Sequence, residues 1–391
     1  MSSPERPRRY DRAILITNQA ETHSHTCLLA GLHQGLIELG WDSRLFLVAQ
    51  DGSDLGPFVA AVEDARRHAA ESTALIDLNG KMRFELSKRL KKFSMLIDHP
   101  FAHFEPLLDA PADAVIGYLD RSHRDVLEAV GLHQDKVFLP HGGPPPDSDP
   151  KPIAERTVPA LFCGRLETSP RITDLRDGLA GNPEIVRDIV LDTAEQAAER
   201  VPLFSAFGAA CRARGLDFDA FDLDGLATAL QRASDWAEAH HRHKHPSALS
   251  GVDVHLVGSV MDGFFETGPD HITFLGPRPF VTCIEMMREA RVLLNSVTVF
   301  PTGSHERDWY AMAAGAALLT DRSAFVEETF TAGENILFWP EDPAAITDLS
   351  RTVLRDAEHL QNLADAATPI YAAHHTWRQR AEIVDGALNS I

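Results

Sequence analysis

The chain has 391 residues, of which 44% are hydrophobic and 24% are charged. This length exceeds what a single hydrophobic core usually holds, so we expect two domains. The formal net charge of −20 excludes a broadly basic, nucleic-acid-binding surface. No apolar run is long enough to span a membrane, and the polar segment Met1–Tyr10 lacks the apolar stretch of a signal peptide. The sequence therefore predicts a cytoplasmic protein without a membrane span.

The cysteines and one basic segment do not indicate a functional site. The four cysteines are far apart and form no CxxC pair, so neither a zinc site nor a disulfide framework is indicated. A local basic spot contains Lys88, Arg89, Lys91 and Lys92. It could contact an anionic acceptor or a lipid, but a solvated helix end explains it more simply.

The first 140 residues alternate between strand-like and helix-like segments. The leucines Leu28, Leu29, Leu32, Leu36 and Leu39 have helical spacing and end at Gly40. Short apolar runs before and after this helix predict strands. These strands are Ala13–Thr17, Arg44–Val48, Ser72–Leu78, Met95–Asp98, Ala114–Tyr118 and Val137–Pro140. Alternation of this kind predicts a parallel, doubly wound α/β sheet.

A segment rich in proline and glycine, Gly142–Pro150, then predicts a linker. A second alternating series follows it. Its predicted strands are Val158–Cys163, Asp253–Val257, Ile272–Leu275, Val292–Leu294, Ala317–Thr320 and Ile336–Trp339. The purely helical pattern over about 171–245 indicates an insertion after the first of these strands. Asp342-Pro343 and Thr376 are predicted to begin late helices. We expect domains at 1–150 and 151–375, with a C-terminal helix at 376–391.

The segment Pro301–Asp321 has the strongest chemical pattern. A polar loop leads into a helix of small residues, and Gly315 precedes an apolar strand. Ser304 is predicted to cap the helix, whose first N–H groups suit phosphate oxygens. His305 and Arg307 can add charged donors. A tightly packed crossover helix with a polar cap explains the same residues equally well.

Several short motifs within and after this segment occur in an order that can be compared with known families. They are Ala311-Met312-Ala313-Ala314-Gly315, Glu327-Glu328, Gly333-Glu334-Asn335, and His375-Thr376 with Arg380. Over about 252–383 the chain resembles the C-terminal half of the CgeB-like, group 1 GT-B glycosyltransferases. The N-terminal half resembles them in topology alone. The resemblance implies two Rossmann-like domains that face each other across a cleft.

The resemblance also implies where the substrates bind. The donor diphosphate is expected near Ser304, His305, Glu306 and Arg307, and Gly164 and Arg165 after the first strand of the second domain suit the same anion. Many retaining relatives bind ribose through two glutamates, at positions that Thr302 and Tyr310 occupy here. Glu327 or Glu306 could replace them, so the stereochemical outcome stays open.

The acceptor is expected to bind to the first domain, together with a general base. Asp98 and His99 follow the fourth predicted strand, and His23 follows the first. Carboxylates and imidazoles can take a proton from an acceptor hydroxyl. The alternative role for each histidine is to cap a helix. His141, near the linker, could also line the cleft.

Metal chemistry is not expected. The run His240–His245 contains Arg242 and Lys244 and no carboxylate, so an exposed helix end is favoured over a metal site. The pairs Asp217/Asp219 and Asp222/Asp224 have Asp-x-Asp spacing, but they lie in the helical insertion. We therefore expect no metal and no cofactor beyond the nucleotide sugar itself.

Three functions remain open at this stage. The leading hypothesis is a glycosyltransferase that moves a sugar from a nucleoside diphosphate sugar to a glycan, lipid-linked or protein acceptor in bacterial glycan or glycoprotein biosynthesis. The second is a GT-B-type epimerase or a phosphorylase, and a pyridoxal-dependent phosphorylase would have only Lys244 after Lys151. The third is a non-catalytic binding subunit, which the absence of the two glutamates keeps open.

Overall fold

The computed structural model describes residues 8–19, 24–82, 89–166, 170–260 and 270–390. The chain forms two compact units. The first unit consists of Met1–Leu119, Leu127–Gly143 and His375–Ile391, and the second of Asp120–Val126 and Pro144–His374. Among the described helices, none combines the length and the apolar character needed to cross a membrane.

The first unit contains a six-stranded parallel sheet with the order β2-β1-β3-β4-β5-β6. The strands are β1 (Arg12–Asn18), β2 (Asp42–Val48), β3 (Thr73–Leu78), β4 (Lys91–Met95), β5 (Val115–Tyr118) and β6 (Asp135–Phe138). The unit also contains the helices α1 (His25–Glu38), α2 (Gly56–His68) and α3 (Phe104–Leu108). The division between the two units falls within α4 (His123–Ala129). Strands β3, β4 and β5 are buried along their whole length, as central strands covered on both faces must be.

The position of β4 was predicted wrongly. It begins at Lys91 and ends at Met95, whereas the sequence pattern placed the strand at Met95–Asp98. Lys91 and Lys92 are buried: the Lys91 ammonium donates to the carbonyl of Asp113 at 2.5 Å, and the Lys92 ammonium lies 3.4 Å from Asp77. These two lysines therefore belong to the sheet and not to a solvated helix end. Arg89 is exposed, and Lys88 lies outside the described residues.

The last helix of the chain, α14 (Trp377–Asn389), belongs to the first unit and packs against α1. Gly31 and Gly35 make the contact possible. A Cβ atom on Gly31 would overlap the Trp377 ring, and one on Gly35 would lie 2.5 Å from the Trp377 carbonyl oxygen. The indole N–H of Trp41 donates to Asp385 at 3.1 Å and adds a polar contact.

The second unit contains another six-stranded parallel sheet, with the order β12-β11-β10-β7-β8-β9. Its strands are β7 (Val158–Leu166), β8 (Val254–Val260), β9 (Ile272–Phe274), β10 (Ala290–Leu294), β11 (Ala317–Thr320) and β12 (Leu337–Phe338). Four helices form the predicted insertion between β7 and β8: α5 (Ile172–Gly178), α6 (Glu184–Ala198), α7 (Leu203–Arg212) and α8 (Leu223–Ala248). The remaining helices are α9 (Phe280–Glu289), α10 (Glu306–Ala313), α11 (Ala324–Glu327), α12 (Pro343–Arg351) and α13 (Ala357–His374).

Two predicted helix starts are confirmed. Asp342 accepts a hydrogen bond from the Ala344 N–H at 3.0 Å, and Pro343 is the first residue of α12. Thr376 and Gln379 form a capping box at the start of α14.

Arg156 ties two helix ends of the second unit together. It is 2% exposed and donates to the carbonyls of Ala290 and Ala314, each at 2.9 Å. These residues follow the last turns of α9 and α10. A buried guanidinium thus satisfies carbonyls that a helix end leaves unpaired. Gly315, with φ +65°, turns the chain from α10 into β11.

Candidate functional site

The loop after β10 places four predicted donor-binding residues at the start of α10. His305, and not Ser304, is the N-cap residue of this helix. The Ser304 hydroxyl accepts from the indole N–H of Trp309 at 3.1 Å and is buried. The predicted cap at Ser304 is therefore wrong by one residue, because the helix begins at Glu306 and His305 occupies the position before it.

Hydrogen bonds fix the tautomer of His305. Nη2 of Arg307 lies 2.8 Å from His305 Nε2, and a guanidinium can only donate, so Nε2 accepts. A neutral imidazole then carries its proton on Nδ1, which lies 2.8 Å from a Glu306 carboxylate oxygen. The backbone N–H of Arg307 also lies 3.3 Å from Nδ1, but a protonated Nδ1 cannot accept from it. Glu306, His305 and Arg307 therefore form a directed hydrogen-bond chain.

Arg307 also connects α10 with the end of β7. Its Nη1 group donates to the carbonyl of Cys163, the residue before Gly164. Gly164 leaves the space that the guanidinium fills, because a Cβ atom there would lie 2.9 Å from Nη1. The structure thus brings Gly164, His305, Glu306 and Arg307 together. Within the part of the chain that the structure describes, Arg307 is 9% exposed and forms no ion pair with a carboxylate.

A buried carboxyl group supports this helix start from the opposite side. Asp308 accepts from the amide of Asn295 at 2.7 Å. Burial raises the pKa of Asp308 to about 6, although hydrogen bonds from Asn295 and Thr320 act in the opposite direction. The carboxyl group therefore changes charge close to neutral pH.

The two positions that carry glutamates in many relatives have structural contacts here. The hydroxyl of Thr302 donates to Asp120 at 2.6 Å, and its backbone N–H donates to the other Asp120 oxygen at 2.7 Å. Asp120 is fully buried and belongs to the second unit. Tyr310 is buried and packs edge-on against Phe280, with ring centroids 5.3 Å apart.

The other predicted donor-binding residues are less closely held. Arg165 is exposed on β7. Glu327 is the last residue of α11. It forms an ion pair with Arg322, which lies two residues before the helix begins. A role in donor binding stays a prediction for both residues.

In the first unit, Asp98 follows β4 and is half-exposed. Its carboxylate accepts from the Asn79 amide at 2.9 Å and lies 3.2 Å from His103 Nε2. Burial acts to raise the pKa of Asp98, but the hydrogen bond and charge of His103, together with Asn79 and His25, outweigh it and lower the pKa. Asp98 is therefore ionised at neutral pH.

The two predicted histidine bases differ in what the structure shows of them. His99 is 6% exposed and caps the short helix Pro100–His103, because its Nδ1 accepts from the Phe101 N–H at 3.3 Å. Its proton therefore lies on Nε2, and this tautomer offers a donor. His23 lies outside the described residues. His141 is buried, and its backbone carbonyl accepts from Arg380 at 2.9 Å.

Sequence reasoning missed Asn79 as a positioning residue. It is 1% exposed and adopts a left-handed backbone with φ +57°. Besides holding Asp98, its side-chain oxygen accepts from the Ile97 N–H at 2.9 Å. The dipeptide Asn79-Gly80 directly after a strand is the signal that could have identified it, since Asn and Gly tolerate positive φ.

The histidine run is not an exposed helix end. His241 and His245 lie in the last turns of α8 and are 8% and 5% exposed. Of the Asp-x-Asp candidates, Asp222 caps α8 by accepting from the Gly225 N–H at 2.7 Å. This capping role accounts for one of the two acidic pairs.

Comparisons with known proteins bear on the family and the fold of the chain. Residues 236–385 match the model of the family described as glycosyl transferase-like. Sucrose-phosphate synthase from Thermosynechococcus elongatus has the same fold, with 12% identity over 95% of this chain and 96% of that chain and a TM-score of 0.52. Anabaena HepE, solved with UDP and glucose, is 12% identical over 98% of this chain and 100% of its own, with a TM-score of 0.48. The lipopolysaccharide outer core galactosyltransferase WaaB is 13% identical over 97% and 99%, with a TM-score of 0.46. No curated protein matches the chain.

Two parallel six-stranded sheets flanked by helices define an α/β protein of the GT-B class, as the sequence predicted. The match to the glycosyl transferase-like family model covers α10 and the elements around it, and the chain as a whole shares the GT-B fold.

Proposed function

We propose that the protein transfers a sugar from a nucleoside diphosphate sugar to a hydroxyl group of a glycan, lipid-linked or protein acceptor. The second unit binds the donor, and the first unit supplies the acceptor site and the general base. The observation that carries this proposal is Arg307, a largely buried cation that has no carboxylate partner among the described residues. Arg307 interacts electrostatically with Asp308 but forms no ion pair with it. Burying a cation without a paired anion is costly, so a group in this position suits an anionic ligand.

The donor diphosphate binds at the start of α10. The helix N-terminus favours negative charge, and Arg307 offers a planar set of donors that matches phosphate oxygens. Two of its five N–H groups are engaged by Cys163 and His305, which hold the guanidinium in place. UDP is bound in the HepE structure, which makes a uridine diphosphate sugar the first donor to test.

No metal ion is required at the diphosphate in this proposal. Charge that develops on the leaving phosphate is stabilised by Arg307 and by the dipole of α10. His305 orients the Arg307 guanidinium by accepting a hydrogen bond from it. Glu306 accepts from His305 Nδ1 and so keeps the imidazole proton on that nitrogen. Glu306 or Glu327 is the candidate acceptor for the ribose hydroxyls.

Asp98 is the best candidate for the general base. It is ionised and half-exposed, and Asn79 and His103 fix its orientation. A base must be deprotonated before it can take the proton of an acceptor hydroxyl. His99 is less suited, because its accepting nitrogen already caps a helix. His23 remains a candidate from the sequence.

A non-catalytic binding subunit is the second candidate function. Thr302 donates a hydrogen bond to Asp120, and the Tyr310 ring packs against Phe280, so both positions have structural contacts in place of the two glutamates. A pyridoxal-dependent phosphorylase is not favoured, because Lys244 lies on α8 and is exposed, 3.8 Å from Glu199.

The test is release of nucleoside diphosphate from a panel of UDP, GDP and dTDP sugars, with and without mixed glycan acceptors. We expect one donor to be turned over by the wild-type protein. Asp98→Asn is expected to lower acceptor-dependent turnover by about a hundredfold, in the range typical of a lost general base, while donor binding is kept. Donor binding without any turnover would support the binding subunit instead.

A further inference from the structure

The second unit contains a buried cluster of two histidines and one aspartate. His241 and His245 are four residues apart and lie on one face of α8. Asp321 directly follows β11 and is 80 residues from His241 along the chain. All three residues are buried, with exposures of 8%, 5% and 7%. One nitrogen or oxygen atom from each lies within 4.8 Å of the corresponding atoms of the other two.

The two ring nitrogens of His241 have different partners, and Nε2 faces the Asp321 carboxylate. Nδ1 lies 3.2 Å from the carbonyl oxygen of Ala198, which can only accept, so Nδ1 carries a proton. In the neutral imidazole Nε2 then has a lone pair, yet it lies 2.9 Å from an Asp321 oxygen. Two acceptors at this distance require either a proton or a metal ion between them. Binding a metal ion there replaces that proton.

The remaining two side chains are oriented in the same manner. Nδ1 of His245 lies 3.2 Å from the Ser296 hydroxyl, and the ring stacks on Trp339 with centroids 4.6 Å apart. The second oxygen of Asp321 accepts from the Val297 N–H at 2.7 Å. His241 and Asp321 therefore each have one atom anchored by a neighbour and another in the cluster, and one nitrogen of His245 lies within 4.8 Å of both. Such supporting bonds are typical of ligands that are pre-oriented for a metal.

We propose that His241, His245 and Asp321 bind a Zn²⁺ ion, with water in the fourth position. Two imidazole nitrogens and one carboxylate oxygen suit zinc, which forms bonds of about 2.0 Å to them. Ligand atoms around a tetrahedral ion with such bonds lie roughly 3.3 Å apart, so small side-chain rotations close the present separations.

The surroundings leave room for the fourth ligand. The cluster borders a cavity whose walls also include charged side chains of both signs. These are Glu199, Arg200, Lys244, Arg322 and Glu341. With Asp321, three carboxylates face three cations, so no net positive charge opposes a divalent ion.

The ion would connect the helical insertion with the sheet. Both histidines belong to α8, whereas Asp321 belongs to the loop after β11. A ligand that binds the folded state alone stabilises it, so zinc is expected to raise the melting temperature of the protein.

The experiment uses the full-length protein after treatment with EDTA and dialysis. Zn²⁺ binding is measured by calorimetry, and Co²⁺ is used as a spectroscopic probe of coordination. The variants are His241→Ala, His245→Ala and Asp321→Asn, and His243→Ala on the same helix is the matched control. Circular dichroism checks that each variant is folded, and Asp321→Asn keeps the side-chain volume in case the histidine variants unfold.

We expect one equivalent of Zn²⁺ to bind, a tetrahedral Co²⁺ spectrum, and a melting temperature that rises by several degrees with zinc. Each folded ligand variant should lose at least tenfold in affinity, and His243→Ala should match the wild type. Zinc binding that is absent from the wild-type protein overturns the proposal. Binding that survives unchanged in Asp321→Asn also overturns it.

Discussion

The guanidinium of Arg307 donates to Nε2 of His305 at 2.8 Å, and this bond determines which imidazole nitrogen carries the proton. We predict that His305 is the Nδ1–H tautomer. Nitrogen-15 chemical shifts of histidine-labelled protein measure this directly. An Nε2–H tautomer would contradict the hydrogen-bond chain from Glu306 through His305 to Arg307.

The pH dependence of stability should report on Asp308. Its folded pKa, about 6, lies above the ordinary value of 3.8, so its contribution to stability is fully present below about pH 3.8 and is lost as the pH rises through 6. Asp308→Asn cannot ionise and avoids this loss. Relative to the wild type, the free energy of unfolding of the variant should therefore rise by roughly 1.4 kcal/mol between pH 5 and 7.5.

Chemical unfolding at several pH values measures that difference. Asp348→Asn, at an exposed position of α12, is the matched control for removal of a carboxylate. A difference between Asp308→Asn and the wild type that does not change with pH would show that Asp308 does not titrate in this range.

Arg156 should be among the most sensitive positions of the second unit. Arg156→Met leaves the carbonyls of Ala290 and Ala314 buried without their donor. Each loss costs about 1–3 kcal/mol, so we expect about 3–5 kcal/mol in total from urea unfolding. Arg156→Lys should be intermediate, because one ammonium cannot reach both helix ends. Arg351→Met, which removes an exposed arginine, should change little, and a similarly small effect at Arg156 would disprove its structural role.

Two glycine-to-alanine substitutions should have opposite effects in the first unit. Gly31→Ala introduces a methyl group that overlaps Trp377, so the contact between α1 and α14 must open. We expect a loss of about 2 kcal/mol or more. Gly386→Ala has open space around it within α14 and should stabilise by up to about 1 kcal/mol. Thermal unfolding compares the pair, and equal effects would argue against close packing of the two helices.

Local patterns predicted most strands of both sheets, because apolar runs separated by helical segments are typical of doubly wound folds. Strand β4 was misplaced because Lys91 and Lys92 made it look solvated. Their ammonium groups contact Asp77 and backbone carbonyls that are distant in sequence, so these partners cannot be recognised from the local pattern.

The candidate site was predictable where its residues are close in sequence. The loop before α10 indicated His305, Glu306 and Arg307. Gly164 was identified because the predicted strand ended at Cys163, although β7 continues through Gly164 to Leu166. The roles of Asn79 and Asp120 depend on partners from other loops. The cluster of His241, His245 and Asp321 was hidden for the same reason, since no carboxylate lies within the histidine run.

Donor binding by Arg307 is the central claim, and calorimetric titration of the full-length protein with UDP, GDP, dTDP and CMP sugars tests it most directly. We predict that at least one of these sugars binds with 1:1 stoichiometry. Arg307→Gln, checked for folding by circular dichroism, should weaken that binding by roughly 10- to 100-fold, which corresponds to about 1.4–2.8 kcal/mol. Arg351→Gln should bind like the wild type. If no nucleotide sugar binds, or if Arg307→Gln binds as tightly as the wild type, the proposed donor site is contradicted.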